Sequence, residues 1–278
     1  MSRRTQSVLL HLAALLAAIA ILAPFAWMVL ASFQTQADLV TRPLPWWPSR
    51  FFPDRYISIF TKASGADFRA ALRNSFVVAS AIVAISLVVG VLGGYAFARL
   101  RFRFRRAVLM TFLFTYMLPQ IALLVPLYMI LARTNLLDTI PGLILVDCSL
   151  VVPFVLWILS NYFLTVPLEI EESAWIDGAS RLGALWRVVL PSARPGILAA
   201  AMFAFLLAWD EFMYALIFTS SNASKTVPVA IAEFSGRYTT DFGLVAAGGV
   251  LAALPPVILA AVFQRYVSSG LVSGAVKA

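Results

Sequence analysis

The most informative part of the chain is residues 166–197, which read VPLEIEESAWIDGASRLGALWRVVLPSARPGI. Two apolar stretches, near 143–165 and 196–220, flank this more polar segment. Each of them is long enough to cross a bilayer core as a helix, since about 30 Å of hydrocarbon needs about 20 residues. The segment is therefore predicted to be a loop at the membrane surface.

Four more apolar stretches place this loop in a chain with about six transmembrane helices. They lie near 8–32, 72–98, 107–131 and 242–265. The chain is 62% hydrophobic and 12% charged, whereas soluble domains are about 45–50% apolar and about 25% charged. Backbone groups in lipid must bond to one another, so the stretches are predicted to be helices. The expected fold class is an all-α membrane protein, with 1–278 forming a single transmembrane domain.

Basic residues predict which loops face the cytoplasm. The densest cluster lies between the second and third apolar stretches and consists of Arg99, Arg101, Arg103, Arg105 and Arg106. Placing it inside the cell also puts both termini and the 166–195 loop in the cytoplasm. The loops at 33–71, 132–142 and 221–241 then face outward. Because 33–71 carries several arginines, part of it is expected to pack on the protein or lie along the interface.

The inventory of reactive side chains argues against several functions. The net charge of +8 is dispersed between apolar stretches, which favours contact with anionic lipid over binding of nucleic acid. One cysteine, Cys148, and one histidine, His11, cannot build a common metal motif. Lys225-Thr226 lacks the glycines of a phosphate-binding loop. An integral membrane enzyme is therefore disfavoured, and no cofactor is expected on this chain.

The first part of the 166–197 loop has the pattern of a short helix outside the membrane. Pro167 suits the first turn, and Glu169, Glu171 and Glu172 suit the positive end of the helix. Gly178 can end it in a left-handed conformation. A helix resting on lipid headgroups is one interpretation, but such helices are usually basic on their polar face. Docking into a protein partner fits an acidic helix better.

These residues resemble the signature loop of permease subunits in binding-protein-dependent ABC importers. That signature reads Glu-Ala-Ala, three residues, Gly, nine residues, Ile, one residue, Leu-Pro. Glu172-Ser173-Ala174 matches the start, Gly178 the glycine, and Leu190-Pro191 the end. Ser173 and Val188 depart from the pattern, and both are small, shape-conserving changes.

Other short segments resemble the carbohydrate branch of these permeases, the MalG-like subunits. They occur in the family's order and are Asn74-Ser75, Tyr95-Ala96-Phe97-Ala98-Arg99, Pro126-Leu127-Tyr128, Trp209-Asp210-Glu211-Phe212, Gln264-Arg265-Tyr266, Gly270-Leu271 and Gly274-Ala275-Val276-Lys277. The resemblance implies the type I ABC importer permease fold. It implies a permease subunit that imports a disaccharide or oligosaccharide across the cytoplasmic (inner) membrane of a bacterium or archaeon.

The resemblance also implies partners and roles. The expected partners are a second homologous permease, an ATPase dimer that binds ATP and Mg, an extracytoplasmic solute-binding protein and the sugar. The 166–195 loop would form the coupling helix that docks on the ATPase. The residues expected to couple are Glu171, Glu172, Ser173, Ala174, Asp177, Gly178, Leu190 and Pro191. The tail Gly274, Ala275, Val276 and Lys277 is expected to reach the ATPase, and a frayed terminus is the alternative.

Three acidic residues lie at or near membrane depth: Asp147, Asp210 and Glu211. A charge at the bilayer centre costs at least about 2.5–3.5 kcal/mol, so each should face protein or water. Two interpretations stay open, namely a polar lining of the sugar path and a structural hydrogen bond between helices. The outer loop 221–241 is likewise either a docking surface for the binding protein or an ordinary solvated loop.

Two other functions compete with a sugar importer. A permease for a glycerol-phosphate-type solute would use a similar subunit. A stand-alone secondary transporter often has repeated halves, but no clear repeat is visible and the acidic loop would be unexplained. The residues do not identify the sugar.

Overall fold

The computed structural model describes residues 3–61, 67–236 and 240–275, with side chains described for 6–61, 67–236 and 240–264. Within these ranges the regular elements are helices, and one isolated bridge pairs Ser235 with Thr240. The predicted all-α class is therefore confirmed. Val276 and Lys277 of the predicted ATPase-contacting tail lie outside the described residues. For Gly274 and Ala275 only the helical backbone is described.

The helices run through the chain with short connections. In order they are α1 (Arg3–Phe33), α2 (Gln36–Val40), α3 (Asp54–Ser58), α4 (Phe68–Arg99), α5 (Arg105–Met117), α6 (Gln120–Arg133), α7 (Ile140–Thr165), α8 (Leu168–Ile176), α9 (Arg181–Ala184), α10 (Leu190–Ser192), α11 (Arg194–Trp209), α12 (Met213–Phe218), α13 (Val227–Ala232) and α14 (Phe242–Ala275). A π-helical turn, Leu185–Val189, joins α9 to α10.

Within the described residues, α1, α4, α7 and α14 each contain an apolar segment long enough to cross a membrane. Two bent helix pairs bring the number of candidate spans to as many as six. This agrees with the six apolar stretches of the sequence, although two of the predicted spans are not continuous helices.

The third predicted span, 107–131, breaks in the middle. Helices α5 and α6 meet there at 94°. Pro119 lacks a backbone N–H and disfavours helical geometry at the residue before it. Leu118 accordingly has an extended backbone, with φ −65° and ψ 134°. A proline between two apolar segments was the available signal for this break.

The fifth predicted span, 196–220, ends earlier than expected. Helix α11 stops at Trp209, and the short helix α12 begins only at Met213. At its other end, α11 makes an angle of 79° with the helical segment Arg181–Ser192. The residues between α11 and α12 include two of the predicted membrane-depth acids, Asp210 and Glu211.

The described residues form two compact units. The first comprises those within Met1–Arg69 and Ala230–Leu254. Here the α1 residues 6–26 are exposed and almost entirely apolar, a surface that suits contact with lipid. The second unit comprises those within Ala70–Val229 and Pro255–Ala278. The single domain expected over the whole chain stays a prediction.

A buried arginine organises the outer part of the first unit. The Arg55 side chain donates to the Gln34 carbonyl oxygen and pairs with an Asp241 oxygen 3.3 Å from its Nε. Its guanidinium also lies 5.3 Å from the centre of the Phe52 ring. Gly243 leaves room for it, because a Cβ there would overlap the guanidinium. This confirms that part of the first outer loop packs on the protein.

Helices α4 and α7 pack closely at the centre of the second unit. The contact uses a G-x-x-x-G spacing on α4, Gly90 to Gly94, which lets two backbones approach in a membrane. A Cβ at Gly90 would lie 2.7 Å from Val155 Cγ1, and one at Gly94 would lie 3.0 Å from the Ser160 backbone nitrogen. The 166–195 loop follows the end of α7.

Candidate coupling loop and membrane cavity

The loop after α7 begins with the predicted short helix. Val166 is extended, Pro167 precedes the first helical residue, and α8 covers the nine residues Leu168–Ile176. Gly178 follows with φ +86°, which confirms the predicted left-handed end. A Cβ added there would meet no atom within 4 Å. The conformation, and not a lack of space, therefore requires glycine at this position.

Two neighbouring glutamates of α8 point to opposite sides. Glu171 is fully buried, whereas Glu172 is exposed. The Glu171 carboxylate forms an ion pair with Arg99 Nε and accepts a hydrogen bond of 3.1 Å from the Tyr95 hydroxyl. Arg99 also donates to the Val166 carbonyl oxygen at 2.6 Å. Glu171 thus attaches α8 to the end of α4 and is not part of the exposed surface.

The sequence contains a signal for this link. Tyr95 and Arg99 are four residues apart at the end of α4, so they share one face of that helix. They are also the two polar residues of the Tyr95–Arg99 segment that resembles the family. A buried carboxylate needs a charged or hydrogen-bonding partner, and these two residues provide it.

The opposite side of the loop is open and mixes apolar with acidic residues. Leu168, Glu172 and Ile176 follow one another at helical spacing and are exposed, Ile176 by 86%. Leu182 and Trp186, in the next helical segment, are 61% and 62% exposed. We call these residues, with Asp177, the coupling surface: Leu168, Glu172, Ile176, Asp177, Leu182 and Trp186.

The remaining predicted coupling residues take different positions. Ser173 is exposed and its hydroxyl donates to the Glu169 carbonyl oxygen at 2.8 Å. Ala174 and Leu190 are half-buried, and Pro191 is exposed. The structure therefore brings most of the predicted set to one loop, with Glu171 on its inner side.

The second candidate site is a cavity of about 610 Å³ between α5, α6, α7 and α11. All three predicted membrane-depth acids, Asp147, Asp210 and Glu211, line it. The volume falls in the range of about 300–1,000 Å³ that is typical of small-molecule sites. The sequence predicted the three acids separately, and the fold brings them to one place.

Aromatic and amide side chains complete the cavity. Tyr116, Phe154 and Phe203 form a row, with ring centres 5.7 Å apart for the first pair and 6.3 Å for the second. Gln120, at the start of α6, adds an amide. Tyr116 at the end of α5 and Gln120 at the start of α6 line the cavity on the two sides of the break between these helices.

The three acids have different surroundings. Glu211 accepts hydrogen bonds from the backbone N–H groups of Tyr214 and Ala215, at 2.7 and 2.9 Å, and so caps the start of α12. Asp210 is exposed. Asp147 is only 1% exposed, and its Oδ1 has no hydrogen-bond partner among the described residues. Glu211 thus has a structural role, although it caps the next helix of its own segment and does not form the expected bond between helices, and Asp147 Oδ1 forms no such bond among the described residues.

The outer segment 221–230 is held against the membrane helices. The Asn74 amide donates to the carbonyl oxygens of Asn222 and Lys225, at 3.2 and 2.9 Å. The Ser75 hydroxyl accepts from the backbone N–H of Val227 at 2.8 Å. This part of the 221–241 loop therefore packs on the protein, and its role as a docking surface stays a prediction. These contacts also give a structural role to Asn74-Ser75, which the sequence showed only as a resemblance.

Asp138 fixes the other end of that segment. It accepts from the backbone N–H groups of Ser220 and Ser221, at 2.8 and 2.9 Å, and from the Ser224 hydroxyl. Burial raises the pKa of the Asp138 carboxyl, but these hydrogen bonds stabilise its charged form and outweigh burial. The pKa of Asp138 therefore lies below its ordinary value. In the part of the chain that the structure describes, no group of three or more His, Cys, Asp and Glu side chains could hold a metal ion.

A comparison of the whole chain with known proteins shows the family to which it belongs. Residues 86–273 match the family of binding-protein-dependent transport system inner membrane components. The chain belongs to this family. It is thus the permease component of an ABC importer, and the hydrolysis of ATP falls to a separate ATPase subunit.

Two named relatives and one solved structure show which transporters this chain is similar to. The sulfoquinovosyl glycerol transport system permease protein of Agrobacterium fabrum is 36% identical and aligns with 91% of this chain and 88% of its own length. The trehalose/maltose transport system permease protein of Thermococcus litoralis is 35% identical, with 97% and 96% covered. A chain of a bacterial ABC transporter that imports the acidic polysaccharide alginate has the same fold, with a TM-score of 0.77, 22% identity, and 96% and 98% covered.

Proposed function

We propose that this chain is one of two permease subunits of a sugar importer in the cytoplasmic membrane of a bacterium or archaeon. It would form the translocation path with a second, homologous permease and receive a disaccharide or oligosaccharide from an extracytoplasmic binding protein. The sugars in the names of its relatives support this substrate class. The observation that carries the proposal is the coupling loop, which is joined to a membrane helix on one side and exposed on the other.

The coupling surface has the composition of a docking site for an ATPase dimer. Ile176, Leu182 and Trp186 are strongly exposed apolar side chains outside the long apolar helices. Exposed apolar patches rimmed by polar groups mark interaction sites. Glu172 and Asp177 add negative charge, which favours a partner surface of opposite sign. ATP and Mg would bind to that partner, and the residues of the loop would take no part in binding them.

The inner side of the loop supports the transmission of motion. The Glu171–Arg99 pair is almost fully buried, and breaking such a pair by removing one member costs about 3–5 kcal/mol. Helix α8 and the end of α4 should therefore move as one body when the ATPase subunits close. Arg99 also holds Val166, so the end of α7 takes part in the same movement.

The proposed substrate path runs along the cavity that Asp147, Asp210 and Glu211 line. Carboxylate oxygens accept hydrogen bonds from sugar hydroxyls, and aromatic rings pack on the apolar faces of a pyranose. Glu211 contributes by holding α12 in place, whereas Asp147 and Asp210 are the groups that a sugar would reach.

The C-terminal residues Gly274, Ala275, Val276 and Lys277 are proposed to contact the ATPase, as the resemblance implies. Removing Gly274–Ala278 should reduce the stimulation of ATP hydrolysis by the solute-loaded binding protein. Unchanged stimulation in the shortened protein would favour a tail with no such contact.

Charge and backbone changes on the coupling loop test the docking role. Gly178→Asp and Glu172→Lys should abolish uptake of a radiolabelled disaccharide while the protein stays in the membrane. Gly178→Asn is the matched control, because asparagine tolerates the left-handed conformation and adds no charge. Affinity purification should retain the ATPase subunit with the control and lose it with the two charged variants. Normal transport by both charged variants would refute the coupling role, and transport without any ATPase would indicate a secondary transporter.

A further inference from the structure

The transporters to which this chain is similar carry two chemical classes of sugar. The names of these transporters include the neutral sugars trehalose and maltose. They also include two anionic carbohydrates, sulfoquinovosyl glycerol and alginate. We infer that this chain provides a subsite for a neutral, hydroxyl-rich sugar, with Asp147 as a hydroxyl acceptor, and that the subsite rejects anionic sugars. The inference rests on the proposed function and narrows its substrate.

Asp147 provides the central observation. It lies seven residues into α7, is 1% exposed and faces the cavity. Its Oδ1 accepts no hydrogen bond from any described residue. A buried polar atom without a partner is costly, and such atoms in native proteins need an explanation. A sugar hydroxyl in the cavity would supply the missing donor.

The ionisable groups around the cavity do not favour an anion. They are the acids Asp147, Asp210 and Glu211, and the described lining contains no Lys or Arg. Sites for carboxylate, sulfonate or phosphate groups usually contain arginine or lysine. A sugar acid in this cavity would stand beside carboxylates with no opposite charge from this chain.

The backbone groups that line the cavity also favour a neutral sugar over an anionic one. The N–H groups of Tyr214 and Ala215 at the start of α12 are already bonded to Glu211, so they are not open to an anion. The ends of α5 and α11 contribute Tyr116 and Ala208 to the lining, and helix C-termini carry partial negative charge. Two helix starts line the cavity, at Gln120 of α6 and Met213 of α12, and the second is already capped by Glu211.

The apolar side chains that line the cavity suit the C–H faces of a neutral sugar. Tyr116, Phe154 and Phe203 form the aromatic row of the cavity. Rings of this kind pack on the C–H faces of a pyranose, while Asp147, Asp210 and Gln120 take its hydroxyl groups. Mostly apolar walls with a few convergent polar groups are the usual composition of a small-molecule site.

Protection of a lining cysteine from chemical labelling tests the inference. The purified importer, with this chain and its permease and ATPase partners, is placed in nanodiscs with Cys148→Ser and Leu207→Cys. Leu207 lines the cavity and is 38% exposed, so a maleimide can reach the new thiol. The rate of labelling is measured with increasing trehalose or sulfoquinovosyl glycerol as the two probes.

Trehalose should slow the labelling at a concentration at least about tenfold lower than sulfoquinovosyl glycerol. Asp147→Leu should abolish protection by trehalose, because it removes the acceptor. Asp147→Asn should retain protection within about threefold, since the amide oxygen still accepts a hydrogen bond. Equal protection by the two sugars, absence of protection by either, or full protection in Asp147→Leu would overturn the inference.

The same preparation separates this inference from the proposed function. If the ATPase subunit copurifies and the anionic sugar protects as well as trehalose, the importer assignment stands and the neutral subsite is wrong. If the ATPase subunit never associates with the chain, the importer assignment fails and the neutral subsite fails with it.

Discussion

Two buried carboxylates on the two sides of this molecule have opposite surroundings. Glu171, in the loop after α7, is ion-paired with Arg99 and hydrogen-bonded by Tyr95. Asp147, in the membrane, has an oxygen with no hydrogen-bond partner among the described residues and lies against a cavity. Burying a charge is costly unless it is paired. The first acid is therefore a structural link, whereas the second keeps its hydrogen-bonding capacity for a ligand.

Removing the paired acid should have the largest effect on stability. Glu171→Ala leaves Arg99 buried without a charged partner, which typically costs about 3–5 kcal/mol. The thermal midpoint of the purified protein in detergent should fall markedly, and binding-protein-dependent ATP hydrolysis should be lost. Glu172→Ala is the control on the neighbouring residue, and it should affect ATP hydrolysis while leaving the midpoint unchanged.

The exchanged pair, Glu171→Arg with Arg99→Glu, sharpens this test. It should recover part of the stability lost in Glu171→Ala, because opposite charges again face each other. If Glu171→Ala were as stable as Glu172→Ala, the description of Glu171 as a buried structural link would be wrong.

The end of the coupling helix should show the next largest effect. Gly178 has φ +86°, and a residue with a Cβ in the left-handed conformation costs about 1–2 kcal/mol. Gly178→Ala should lower the thermal midpoint and weaken ATPase binding, and Gly178→Asn should do so less. Both are measured by thermal unfolding and by affinity purification. Identical behaviour of the alanine and asparagine variants would show that the backbone conformation is not what this position needs.

Two of the three acids that line the cavity, Glu211 and Asp147, should change the stability in opposite directions when they are replaced. Glu211 caps α12, so Glu211→Ala should destabilise the protein by about 0.5–2 kcal/mol. Asp147→Leu removes an unpaired buried polar group, so it should leave the thermal midpoint unchanged or raise it while sugar binding is lost. Thermal unfolding with and without trehalose measures both effects. A large loss of stability in Asp147→Leu would mean that this acid is structural too.

The smallest predicted effect is the dependence on pH of the stability that Asp138 contributes. Its pKa in the folded protein is lowered, so its contribution to stability is complete above the unfolded value of about 3.9 and is lost as the pH falls below it. Asp138→Asn should therefore unfold at a lower temperature than the unchanged protein at pH 7. The difference should narrow as the pH falls below about 4. A difference that does not change with pH would contradict the role of the charged carboxylate.

Local patterns were enough to predict the helices, the loop and its left-handed glycine. Six apolar stretches and the Pro167 to Gly178 pattern depend only on neighbouring residues and on lipid as the surrounding solvent. Pro119 is also a local signal for the break at Leu118–Pro119. The apolar residues on both sides of it, however, favour a single continuous span.

Contacts between distant residues could not be predicted in the same way. The Glu171–Arg99 link joins residues 72 positions apart, and the cavity combines residues from Tyr116 to Met213. A single sequence shows that Asp147 and Glu211 are acids at membrane depth. It does not show that one of them caps a helix in its own chain and the other lacks a partner.

Cross-linking at Ile176 tests the central claim that the coupling surface meets the ATPase. Ile176→Cys, in a Cys148→Ser background, is treated with a short thiol cross-linker in the assembled importer, with Trp46→Cys as the control on the first outer loop. Both positions are strongly exposed in this chain, by 86% and 76%. The account predicts that Ile176→Cys joins to the ATPase subunit and Trp46→Cys does not. A product between the ATPase subunit and Trp46→Cys, with none at Ile176→Cys, would contradict it.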